Sequence, residues 1–161
     1  MKIRKIKIGI IGVGVVGDAI KTGFEAVGHK VSVHDLRLDT KINDVLDTEV
    51  CFLCVPTPPK EDGSCNTSIV ESVIKELTDL DYSGIVCIKS TVPPGTTERM
   101  QEMFKNKKIC FVPEFLRERA AVQDFMYNHD VCIVGAESEQ IFKVLKTCHG
   151  SLPDKFIHLT E

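Results

Sequence analysis

Three glycines, Gly12, Gly14 and Gly17, follow the apolar run 7–11 as GVGVVG and open a stretch whose apolar residues recur at helical spacing. A strand, a glycine turn and a helix in that order suit the binding of a pyrophosphate. The first glycine permits the tight turn, the second lets backbone N–H groups approach the phosphates, and the third lets helix pack on strand. The helix N-terminus then faces the anion. The phosphate contacts are therefore expected from the loop Gly12, Val13, Gly14, Val15, Val16 and Gly17. Asp35 ends the next apolar run 18 residues after Gly17, where a carboxylate accepts hydrogen bonds from an adenosine ribose. It would repel a 2′-phosphate, so NAD is expected over NADP, with Arg37 as a nearby group able to hold such a phosphate. The plain alternative is a glycine turn beside a surface aspartate.

Further polar groups stand where later apolar runs end. Run 50–56 leads into Val55, Pro56 and Thr57; run 84–90 leads into Ser90, Thr91 and Val92; run 108–114 leads into Glu114, Phe115, Leu116, Arg117 and Glu118. Ligands of open parallel sheets lie at the carboxyl ends of the strands, where the strand order reverses, here expected between the first and fourth strands. The three clusters then converge on one cleft. Thr91 has the alternative of a turn or helix-capping hydroxyl before Pro93. Glu114 and Glu118, four apart, share a face if the stretch is helical, and their repulsion would raise one pKa toward the range of a general base. Their alternative is a solvated acidic face paired with Arg117 and Arg119.

The elements that must position these groups are short β-branched runs at 7–12, 30–35, 50–56, 84–90, 108–114 and 130–135, separated by helix-like stretches at 15–27, 67–80, 96–105 and 137–148. Near-continuous apolar strands are buried on both faces, which helices on each side of a parallel sheet supply. The expected fold is α/β, doubly wound and Rossmann-type, with a mainly parallel six-stranded sheet. Only about a dozen residues separate the second and third strands, room for a short helix at KINDVLD at most.

A chain of 161 residues with 43% hydrophobic and 27% charged residues makes one globular domain without a disulfide or metal to hold it. The net charge of −3 gives no field for nucleic acid or an anionic membrane, and neither partner is expected. No apolar run reaches the ~18 residues of a membrane span. Lys2, Arg4, Lys5 and Lys7 imitate the start of a signal peptide, but the glycine-broken run after them reads as an edge-charged first strand. Seven cysteines, an odd number mostly inside apolar runs, point to reduced thiols in a cytoplasmic core. Cys51 and Cys54 form CxxC without a second pair, and no metal site is expected. Cys148 and His149 read as a helix end, and the other histidines show no grouping.

The strings CVPTP, KSTVPPGTT and PEFLRE, in that order after GVGVVG and Asp35, resemble the NAD-binding domain of the UDP-glucose/GDP-mannose dehydrogenase family over roughly residues 5–150. The resemblance implies an oxidation of a sugar nucleotide's C6 alcohol to a carboxylate by two NAD molecules in turn, through enzyme-bound thiohemiacetal and thioester stages. It places Val55, Pro56, Thr57, Ser90, Thr91, Val92 and Glu118 at the cofactor. It places Thr91 and the two glutamates at the reacting carbon or its water, and Glu114, Phe115, Leu116, Arg117 and Glu118 along a UDP-sugar, with UDP-glucose the leading candidate. Val112 and Arg119 depart from the family's usual Asn and Gly, which loosens the substrate assignment more than the cofactor one.

The family's catalytic cysteine and lysine belong to a central helix and a second domain, so residues 1–161 are expected to be a single NAD-binding domain. Such a chain would be a monomer or weak homodimer that binds NAD without completing the reaction. The rival readings are a non-catalytic nucleotide-binding or redox-sensing module and a β-hydroxyacid dehydrogenase-like NAD domain.

Overall fold

Alternation along five strands builds the centre of the molecule. In the computed structural model, which describes residues 3–160, β1 (Lys7–Ile11), β2 (Lys30–His34), β3 (Val50–Leu53), β4 (Ile85–Ile88) and β5 (Ile109–Phe111) run parallel. Because successive side chains of a strand point to opposite faces, each strand feeds two cores. Ile8, Ile10, Val50, Phe52, Cys87 and Cys110 enter one; Ile11, Cys51, Leu53, Val86, Ile88 and Ile109 enter the other.

The first core is closed by α1 (Val15–Val27), α4 (Ala121–Tyr127) and α5 (Glu139–His149), which contribute Ile20, Phe24, Phe125 and Leu145. Phe24 packs 4.9 Å from Phe52 and edge-on to Phe125 at 5.5 Å, contacts worth about 0.5–1.5 kcal/mol each beyond their buried area. Close approach of α1 to α4 requires Gly23, where a methyl group would strike the Phe125 ring. The second core is closed by α2 (Ser68–Asp79), α3 (Thr96–Phe104) and a 3-10 turn at Ile42–Val45, through Val45, Ile74, Leu77 and Met100. Five cysteines, Cys51, Cys87, Cys110, Cys132 and Cys148, lie buried, while Cys54 and Cys65 are half-buried. At the start of the chain Arg4 pairs with Glu49 and Lys7 with Asp47, fastening the basic segment; Lys2 lies outside the described residues.

The doubly wound α/β class is as the sequence predicts, with three differences. The sheet has seven strands rather than six, in the order β2-β1-β3-β4-β5-β6-β7, because 155–159 forms a half-exposed edge strand, β7 (Lys155–Leu159), parallel to β6 (Val131–Gly135). β6 itself meets β5 antiparallel, at Phe111 and Gly135. The order reverses between β1 and β3, not between the first and fourth strands, since the segment between β2 and β3 holds only the 3-10 turn and no further strand. α4 has no counterpart in the sequence reading.

Candidate functional site

At the carboxyl end of β1 the three glycines answer three different demands. Gly12 takes φ +92° and lies so close to β3's exit that a Cβ would sit 2.6 Å from the Cys54 carbonyl oxygen. Gly17 presses on the Gly12 carbonyl, which an added methyl would overrun. Gly14 is different, because nothing lies within 4 Å of where its Cβ would be. It is also the N-cap of α1 and supplies no side-chain bond to the helix, so the first-turn N–H groups of Val15 and Val16 face an open space that a side chain would obstruct. A diphosphate suits that cradle in sign.

Asp35 closes the far side of the loop. Its buried carboxylate accepts from the Val13 N–H at 2.7 Å and Arg37 Nη2 at 3.0 Å on Oδ2, and from the Arg37 N–H at 2.8 Å and Arg37 Nε at 3.0 Å on Oδ1. The Arg37 guanidinium, with the two backbone donors, holds the carboxyl well below the usual range. Arg37, read from sequence as a possible phosphate partner, is thus engaged with Asp35 and the Val13 carbonyl.

Across the reversal point the turns after β3 and β4 are stitched together. Ser90 Oγ donates to the Val55 carbonyl at 2.7 Å, and Thr57 Oγ1 donates to the Thr91 carbonyl at 2.8 Å, which also receives the Cys65 thiol at 3.5 Å. The hydroxyls of Ser90 and Thr57 are therefore spent on shaping the turns. Thr91 is exposed and is no helix cap, since α3 starts at Thr96 behind Gly95. Val55 is buried in the second core, Val92 packs against it, and Pro56 is exposed.

Glu114 lies at the exit of β5, and here the sequence reading needs correction. Residues 112–117 form no helix, and Glu118 opens a separate 3-10 turn, so the two glutamates do not share a helical face. Glu114 instead faces Lys89, with Nζ 2.8 Å from Oε2 and the side chains 1% and 11% exposed respectively. Its Oε1 accepts the Phe115 N–H at 2.8 Å, while Oε2 has no aligned hydrogen bond and keeps accepting capacity. Burial works to lower the Lys89 pKa, and the Glu114 carboxylate more than offsets it, leaving the ammonium above its ordinary value. Arg117 pairs with Asp124, at 2.9 and 2.7 Å, and not with a glutamate. Glu114, Phe115, Leu116, Arg117, Asp124 and His129 line a cavity of about 450 Å³, from which Glu118 is absent.

Behind this cavity lies a feature that sequence reasoning missed. The His129 and His149 rings stand 6.0 Å apart with His129 Nδ1 and His149 Nε2 buried and unpartnered. Burial, and then the nearby Lys89 charge, depress both imidazole pKa values, His149 to about 3. No signal in the sequence joins the two, since His129 lies in the loop after α4 and His149 at the end of α5. Among the described residues no three His, Cys, Asp or Glu side chains gather as a metal site, and no helix is long and apolar enough to cross a membrane.

The chain is similar to known proteins along most of its length. Residues 32–152 match the model of the UDP-glucose/GDP-mannose dehydrogenase family, NAD binding domain. An uncharacterized protein of Methanocaldococcus jannaschii is 35% identical over 77% of this chain and 15% of its own. A UDP-glucose 6-dehydrogenase of Haloferax volcanii is 28% identical over 93% of this chain and 45% of its own. Among solved structures, a UDP-glucose dehydrogenase of Pyrobaculum islandicum superposes with a TM-score of 0.87 at 24% identity, covering 98% of this chain and 46% of that one. A GDP-mannose dehydrogenase of Pseudomonas aeruginosa superposes with a TM-score of 0.78 at 27% identity over 95% and 46%. The chain spans less than half the length of these relatives.

Proposed function

The chain belongs to the UDP-glucose/GDP-mannose dehydrogenase family, whose NAD-binding domain it carries, and from that we propose that it serves the oxidation of a UDP-sugar, UDP-glucose first among candidates. The observation that carries the reading is the uncapped N-terminus of α1 opening at Gly14 beside the Asp35 carboxylate. In this reading residues 1–161 act as one NAD-binding unit and need residues supplied from outside them to complete catalysis.

Each role then falls to a named group. The backbone of Gly12, Val13, Gly14, Val15, Val16 and Gly17 holds the pyrophosphate, and Asp35 takes the adenosine ribose. Val55, Pro56 and Thr57 with Ser90, Thr91 and Val92 wall the nicotinamide side, and Glu118 closes it. NAD, when bound, supplies the acceptor for the hydride leaving the sugar's C6. The Thr91 hydroxyl is free to hydrogen-bond the reacting oxygen or its water. Glu114 is the base for that water, as the carboxylate that lines the cavity at the exit of β5. Phe115, Leu116 and Arg117 line the sugar nucleotide's cavity.

The unit works as a monomer or weak homodimer, and its free cysteines suit a reducing cytoplasm. Calorimetric titration tests the reading: NAD binds in the micromolar to millimolar range, Asp35→Ala weakens it, and UDP-glucose with NAD yields no rise at 340 nm from these residues alone. Absence of NAD binding would overturn it.

A further inference from the structure

An ionised carboxylate offers about four acceptor positions, and at Asp35 all four are taken. Two belong to the backbone and stay with the fold: the Val13 N–H on Oδ2 and the Arg37 N–H on Oδ1. The other two are filled by one guanidinium, Nε on Oδ1 and Nη2 on Oδ2, both at 3.0 Å. A ribose approaches an aspartate in the same two-pronged way, its vicinal 2′- and 3′-hydroxyls donating to the carboxylate. The Arg37 fork and the ribose diol therefore compete for one pair of acceptor positions.

We propose that Arg37 is a specificity-determining residue that occupies the ribose seat of this domain and sets its discrimination between NAD and NADP. The inference rests on the NAD-binding reading and goes beyond it. NAD has to displace the guanidinium before its ribose reaches Asp35, so Arg37 subtracts from NAD affinity. A 2′-phosphorylated ribose meets the same guanidinium as a partner, since a planar fork binds phosphate with two charge-assisted bonds. Arg37 thus offsets part of the repulsion that Asp35 exerts on the phosphate.

The surroundings permit the exchange without refolding the loop. The Arg37 side chain is 71% exposed, so leaving Asp35 and the Val13 carbonyl, which accepts from Nη2 at 3.0 Å, returns it to water at small cost. The loop backbone is held independently of the guanidinium, by Thr40 Oγ1 accepting the Asp35 N–H at 3.1 Å and by the Leu38 N–H on the Asp35 carbonyl at 3.0 Å. Removal of the guanidinium leaves Asp35 in place with two acceptor positions free.

The test is a calorimetric titration of the wild-type chain and of Arg37→Met, which keeps an apolar stem, with NAD, NADP, ADP-ribose and 2′-phospho-ADP-ribose. Arg37→Met is expected to tighten NAD and ADP-ribose by about two- to fivefold, the scale of an exposed ion pair. It is expected to weaken the two 2′-phosphorylated ligands by about tenfold, the scale of a lost charged hydrogen bond. Opposite signs for the two ligand classes cannot arise from general damage to the fold. Equal affinities in wild type and variant, or weaker binding of all four ligands by the variant, would overturn the role of Arg37 while leaving the NAD-binding reading of the wild-type chain standing. Failure of NAD and ADP-ribose to bind either protein would overturn the NAD-binding reading and this inference with it.

Discussion

Lys89 Nζ and Glu114 Oε2 stand 2.8 Å apart between the carboxyl ends of β4 and β5, both withdrawn from water. An ion pair of this kind is costly to break and cheap to replace. Lys89→Met should cost about 3–5 kcal/mol, because it strands a carboxylate, and Glu114→Gln should cost a comparable amount by stranding the ammonium. The double variant should recover most of that loss, giving a strong favourable coupling in a urea-denaturation cycle. Strict additivity would show that the two charges do not depend on one another.

Acid should unfold the protein earlier than its carboxylates alone require. His149 is fully buried, and its ring is protonated near pH 6.5 when the chain is unfolded but only near about 3 when folded. Between those values the unfolded chain binds the extra proton, so stability falls as pH falls through that window, by several kcal/mol at its lower end. Replacing the ring with an apolar side chain, His149→Met, should flatten the dependence of the urea midpoint between pH 6.5 and 4.5. An unchanged slope would place the linkage elsewhere.

Gly23 sits where α1 touches α4, under the Phe125 ring. Gly23→Ala adds one methyl to a packed core and should destabilise by about 1–3 kcal/mol, despite the higher helix propensity of alanine. Partial restoration in Gly23→Ala/Phe125→Leu, where the smaller leucine side chain replaces the ring, measured by thermal unfolding, would identify the clash as the cause.

Gly14 and Gly17 should separate binding from folding. Gly14→Ala projects a methyl into open space at the α1 N-terminus and should leave stability within about 1 kcal/mol. It should lower NAD affinity at least tenfold, because the methyl intrudes on the phosphate cradle. Gly17→Ala collides with the Gly12 carbonyl and should destabilise the fold itself, as far-UV circular dichroism during urea unfolding would record.

Much of this was legible in the sequence where chemistry and periodicity agree. α1 forms over 15–27 as the spacing predicts, because glycines fix its start and Gly28, at φ 103°, stops it. Strands buried on both faces were equally plain, since Cys51, Phe52 and Leu53 have no polar residue among them. β7 was obscure because its apolar residues do not alternate with polar ones: exposed Ile157 and Leu159 flank the half-buried Phe156 and His158, so KFIHL reads as a short apolar stretch without the period of a strand. The position of the reversal point was unreadable, for it depends on a strand that the segment between Asp35 and Val50 fails to supply. Partners distant in sequence were the hardest to read: nothing in KSTV says that Lys89 will face Glu114 rather than a ligand.

The buried cysteines make the molecule its own unfolding gauge. Desolvation raises the thiol pKa of Cys51, Cys87 and Cys148 and takes that of Cys132 to about 12, and a reagent that attacks thiolates can reach such groups only when the sheet opens. Cys65, in the loop over Thr91, is half-buried and bonded only to a backbone carbonyl. Thiol modification therefore divides into two clocks. The fast one reads the loop beside the candidate reaction centre, and the slow one counts the rare openings of the whole domain.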